Sequence, residues 1–121
     1  MSSLPLEYFQ TYQKLQQQVT EVSQAIADSE HAANLKASVA DLQTFFQTHV
    51  WMLDLVPLNP ASAHQIRSFN VEIDKQLRLL SMDAMFLQAA KQPTTIDQRL
   101  NQMRDRVTLL LQYCNGLLEP Q

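Results

Sequence analysis

Lys75-Gln-Leu-Arg-Leu-Leu-Ser-Met-Asp-Ala-Met-Phe-Leu-Gln-Ala-Ala-Lys91 is the densest part of a longer stretch, Pro60 to Lys91, whose periodicity decides the fold. Ile66, Phe69, Ile73, Leu77, Leu80, Ala84 and Leu87 recur at steps of three and four, which at about 100° per residue line one face of a helix. That face reads as a core seam. Val71, Lys75, Arg78, Met82, Met85 and Ala89 follow the same step on nearly the opposite face, with Phe86 beside them. A surface helix should be polar there, so this second stripe of mixed apolar and basic groups calls for a cover.

Upstream, Val56-Pro-Leu-Asn-Pro60 sets the boundary: Pro57 disfavours helical geometry at Val56, and Asn59 with Pro60 supplies a cap and a first-turn proline. The second helix, residues 35–55, has the seam Leu35, Val39, Leu42, Phe46, Val50 and Leu53, with Asn34 as its expected cap. Phe45, Trp51 and Met52 widen its expected buried arc. The first helix, residues 4–28, begins behind Ser3 as cap with Pro5 in the first turn, and buries Tyr8, Tyr12, Leu15, Val19, Val22 and Ile26. Its many glutamines read as solvated surface.

Downstream, Gln92-Pro-Thr-Thr95 closes the third helix, residues 60–91, about 45 Å long at 1.5 Å per residue. Thr95 and Gln98 stand at the spacing of a capping box, which opens the fourth helix over residues 95–118. Ile96, Leu100, Met103, Val107, Leu110, Cys114 and Leu117 form its seam, and it ends between Gly116 and Pro120. Short connections favour antiparallel neighbours, so the expected fold is all-α, a single up-down-up-down four-helix bundle over residues 1–121. A three-helix arrangement with the first two segments merged competes, but the merged helix exceeds what a domain this size covers.

Composition agrees with this reading. One Gly and five Pro leave few sharp turns, and 45% hydrophobic residues suffice for a core without staples. The net charge of −3 argues against non-specific nucleic-acid binding. Most Arg and Lys fall after Arg67, so an acidic partner would meet the second half. A single cysteine, Cys114, excludes an intrachain disulfide and fits a reducing compartment; no run of 18 apolar residues occurs, and no leader is expected. A cytoplasmic protein with no membrane partner is expected.

Chemistry finds little purchase. The Glu-x-x-His pairs of bundle metal sites are missing, and His31, His49 and His64 are scattered, so no metal, cofactor or catalytic residue is expected. His49 is the only candidate for a phosphotransfer bundle, yet Thr48-His49-Val50-Trp51 lacks the Lys and Gly that would support a phosphohistidine. Asp74 and Arg78 are set for an i,i+4 pair. Three readings of the second stripe stay open: extra core, a docking face for an acidic or mixed-charge partner, or a homodimer contact.

The segment from Lys75 to Pro93, with Gln98-Arg99, Asp105-Arg106 and Tyr113-Cys114 behind it, resembles the heterocyst frequency control protein PatD family of cyanobacteria. Residues 1–60 match it only in pattern. The resemblance implies a small non-enzymatic regulator that binds the tubulin-like division protein FtsZ, modulates its assembly, and so influences cell division and heterocyst frequency. No family motif marks a binding site, so the candidate partner-binding residues come from the stripe alone: Val71, Lys75, Arg78, Met82, Met85, Phe86 and Ala89.

Overall fold

A computed structural model describes residues 4–28 and 32–119. It contains α1 (Leu6–Asp28), α2 (Ala32–Phe45) continued by a π turn (Phe46–Val50), α3 (Pro60–Ala89) and α4 (Pro93–Leu118). Each helix packs on its neighbours in the chain, and α1 closes the ring against α4. This is the antiparallel four-helix bundle that the seams imply.

The seams meet as expected. Tyr12, Leu15, Val19, Leu42, Phe46, Ile66, Ile73, Leu77, Leu80, Met103 and Leu110 are all shielded from solvent, and together with the rest of their stripes form one core. Phe69, Leu53 and Ile96 are half-buried at its margins. Inside it, the Tyr12 hydroxyl donates to Asn70 Oδ1 at 2.6 Å, so the polar ends of two buried side chains satisfy each other.

Helix ends depart from the sequence expectations where local backbone chemistry wins. Asn59 caps α3 as expected: it is extended at φ −64°, ψ 158°, its side chain accepts from the Ser62 N–H at 2.8 Å, and Pro60 follows. At the other end Ala90 is already extended, and α4 opens at Pro93 behind an extended Gln92 that offers no side-chain cap. Pro93 holds Gln92 out of helical geometry and presets the first helical φ, so Thr95 falls inside the first turn and the Thr95–Gln98 box does not form the cap. Asn34 likewise lies within α2, which begins by Ala32, and so is not its cap. Pro5 sits one residue before α1 rather than in its first turn, its carbonyl accepting from Phe9 N–H at 3.0 Å. Ser3 and His31 lie outside the described residues.

The second helix stops at Val50, five residues before the expected end. Its last turn is wide, with Trp51 N–H donating to Phe46 O at 2.8 Å. Asp54 then accepts from the Val56 N–H at 3.0 Å, a local bond that competes with helix just before Pro57. The loop folds over the end of the bundle, tied by the Tyr8 hydroxyl to the Asp54 carbonyl, and Leu53, Leu55 and Leu58 pack on the core. Trp51 and Met52, expected in the buried arc, face outward instead.

A candidate docking face along α3

The stripe on α3 lies on the outside of the bundle. Val71 is 55% exposed, Met82 50%, Met85 55% and Phe86 49%, values that exclude a place in the core of this chain. Lys75, Arg78 and Ala89 are exposed beside them. All seven candidate residues therefore share one solvent-facing strip, and from Val71 to Phe86 it runs about 22 Å along the helix.

The geometry follows from how α3 is held. One flank carries Asp74, which accepts from Gln47 of the π turn at 2.9 Å and pairs with Arg78 at 3.2 Å, the i,i+4 contact expected from the sequence. The other flank faces α4. There Phe69 meets the Tyr113 ring edge-on at 6.0 Å and the open side of Gly116, and further along Asp83 reaches two arginines. With both flanks occupied and the core seam between them, the remaining arc of α3 has no covering element among the described residues.

Two features extend the stripe beyond the residues that periodicity marks. At one end Trp51, Leu55, Arg67, Asn70 and Val71 line a shallow groove of about 330 Å³. Trp51 leans on Phe46 with ring centroids 5.9 Å apart, and Met52 and Val56 stand out into solvent nearby in the chain. At the other end the Arg99 guanidinium lies 4.6 Å from the Phe86 ring centroid, a cation–π contact across the α3–α4 seam. Arg99 is itself anchored, to Asp83 at 3.5 Å and to Gln102 at 3.1 Å, while Arg106 Nε holds the second Asp83 oxygen at 2.5 Å. Asp83 is almost fully buried, so its charge is compensated by two guanidiniums at once. The pair of arginines leaves one net positive charge beside Phe86.

The sequence reading missed Trp51, Arg67, Arg99 and Asp83, although Arg67 stands one four-residue step before Val71, on the stripe's own periodicity. Trp51 and Arg99 lie on other segments and come to α3 only through the fold. Asp83 carries a weak signal: it falls between the seam and the stripe, where an unpaired carboxylate would be costly, and Arg99 and Arg106 are one α-hairpin away.

Among the described residues, no group of three His, Cys, Asp or Glu side chains is placed to hold a metal ion. Cys114 is buried and burial pushes its thiol up to about 12, while Tyr12 is pushed well above the usual phenol range for the same reason. His49 is exposed on the π turn with its ring 4.9 Å from that of Phe45. No helix among the described residues is long and apolar enough to cross a membrane. Comparison with family models, with curated proteins and with solved structures finds no match.

Proposed function

We propose that this protein is a non-enzymatic regulator that acts by contact, docking the exposed apolar and basic face of α3 on a protein partner. The observation that carries the reading is the uncovered strip itself. Helical side chains such as Met82, Met85 and Phe86 are normally buried, and an exposed group of them in line with Val71, Lys75 and Arg78 is what a partner surface looks like before it is filled.

The resemblance of Lys75 to Pro93 to the PatD family supplies the partner: FtsZ, an acidic, filament-forming protein. Binding along a filament would modulate assembly, and through it cell division and, where such cells form, heterocyst frequency. A cytoplasmic location follows from that partner. Lys75 and Arg78 provide the attraction and Met82, Met85 and Phe86 the desolvated contact.

The test is sedimentation of FtsZ polymers with GTP, following both proteins in the pellet. The native protein is expected to co-pellet and to change polymer mass. Arg78→Glu and Met82→Asp are expected to lower the bound fraction while leaving helical content and thermal midpoint near native, because both positions face solvent. Retention of full binding by both variants would overturn the reading. His49→Gln separates the rival phosphotransfer reading, which its exposure favours: that domain would lose phosphoryl acceptance, whereas contact regulation is unaffected.

A further inference from the structure

The α3 strip has a polarity that restricts what can lie on it. Its apolar side chains gather at two ends, Trp51 with Val71 at one and Met82 to Phe86 at the other, and cations stand at and between them. Arg67 and Lys75 have no ion pair among the described residues, and the Arg99–Asp83–Arg106 cluster retains one net positive charge. Asp74 is a carboxylate of this region already held by Arg78 and Gln47.

A second copy of the chain fits this pattern poorly. A two-fold axis that lays Val71 against the partner's Phe86 passes between positions 78 and 79. It sets Arg78, already paired with Asp74, beside its own copy and Lys75 against Met82, so an unpaired ammonium would be buried at the centre. An anionic partner would pair that ammonium instead.

We infer that the strip is a two-anchor cradle for an acidic amphipathic helix of a partner protein, about four turns long. Its apolar residues seat on Trp51–Val71 and on Met82–Phe86, and its carboxylates meet Arg67 at one end and Arg99 at the other. The length follows from the anchor separation of about 22 Å at 1.5 Å per residue. Arg99 enters pre-positioned: Asp83 and the Phe86 ring already hold its guanidinium, so little side-chain freedom is lost on binding. This inference rests on the docking reading above and adds the partner's chemistry and the two outer anchors.

The only tryptophan of the chain, Trp51, lies in one anchor and reports occupancy directly. The probe is a capped peptide of about 18 residues with Leu at helical i, i+3, i+4 and i+7 spacing and Glu elsewhere. Its control carries Lys for every Glu. The acidic peptide is expected to move Trp51 emission to the blue saturably, with affinity falling about tenfold when salt rises from low to high ionic strength. The basic peptide is expected to leave emission unchanged. Arg67→Glu, an exposed side chain with no ion pair to lose among the described residues, is expected to weaken the acidic peptide about tenfold, as is Arg99→Glu.

Equal response to both peptides, or none to either, overturns the inference. So does concentration-dependent dimerisation in sedimentation equilibrium that shifts Trp51 emission without peptide, and so does a stronger shift with vesicles of anionic phospholipid. If Arg78→Glu abolishes FtsZ co-sedimentation while Arg67→Glu and Arg99→Glu leave it intact, the cradle fails and contact regulation stands. If the acidic peptide binds but FtsZ does not, the cradle stands and that partner fails.

Discussion

Cys114 and Tyr12 are two side chains whose ionisation the core suppresses, and they give the fold a pH limit on the alkaline side. The Cys114 thiol ionises near 9.0 when free and near 12 when folded. Its contribution is therefore complete below about pH 9 and is lost as pH rises through 12, because the unfolded chain then releases a proton the folded one keeps. Tyr12 acts in the same direction from about pH 10 upward. Urea midpoints measured from pH 8 to 11 are expected to fall, and Cys114→Ala to flatten the part of the slope below pH 10. Asp83→Asn removes the charge shared by Arg99 and Arg106. Stability is expected to drop by about 2 kcal/mol, below the range for fully buried pairs because both guanidiniums reach solvent. Urea denaturation with and without the substitution measures it.

At the scale of the elements, what matters is where helices begin and how closely they approach. Asn59→Ala leaves the Ser62 N–H without its acceptor and is expected to lower stability by about 1 kcal/mol, with Asn59→Asp close to native. Gly116 lies inside α4 rather than at its end, and a Cβ there would stand 3.1 Å from the Phe69 ring. Gly116→Ala is expected to be near neutral, since the half-buried ring can yield by a few tenths of an ångström and helix propensity offsets the contact. Gly116→Val drives a branched side chain into that ring and is expected to cost about 1–2 kcal/mol. Equal thermal midpoints for the two variants would contradict the close approach. The early end of the second helix and the early start of α4 both lie near a proline: Asp54 holds the Val56 N–H just before Pro57, and Pro93 presets the first turn of α4.

For the whole molecule, aromatic side chains divide into those that hold the bundle and those that face out from it. Phe46→Ala is expected to destabilise by about 3–5 kcal/mol, the cost of a cavity in a closed core. Phe86→Ala, half-exposed and held by one cation–π contact, is expected to cost about 1 kcal/mol or less. Thermal denaturation of the pair reads the contrast directly, and comparable losses would mean that the α3 face belongs to the fold. The seams of all four helices, the Asn59–Pro60 boundary and the Asp74–Arg78 pair were legible in the sequence, because steps of three and four residues and a capping side chain are properties of the chain over one or two turns. Whether Val71, Met82, Met85 and Phe86 lie inside or outside was not legible, since an apolar stripe has the same spacing in either place. Only the closed ring of four helices, in which both flanks of α3 are taken by α2 and α4, leaves that stripe to solvent. The same ring brings Trp51 beside Val71 and Arg99 over Phe86: contacts between residues far apart in the chain, which depend on packing and carry no local periodicity.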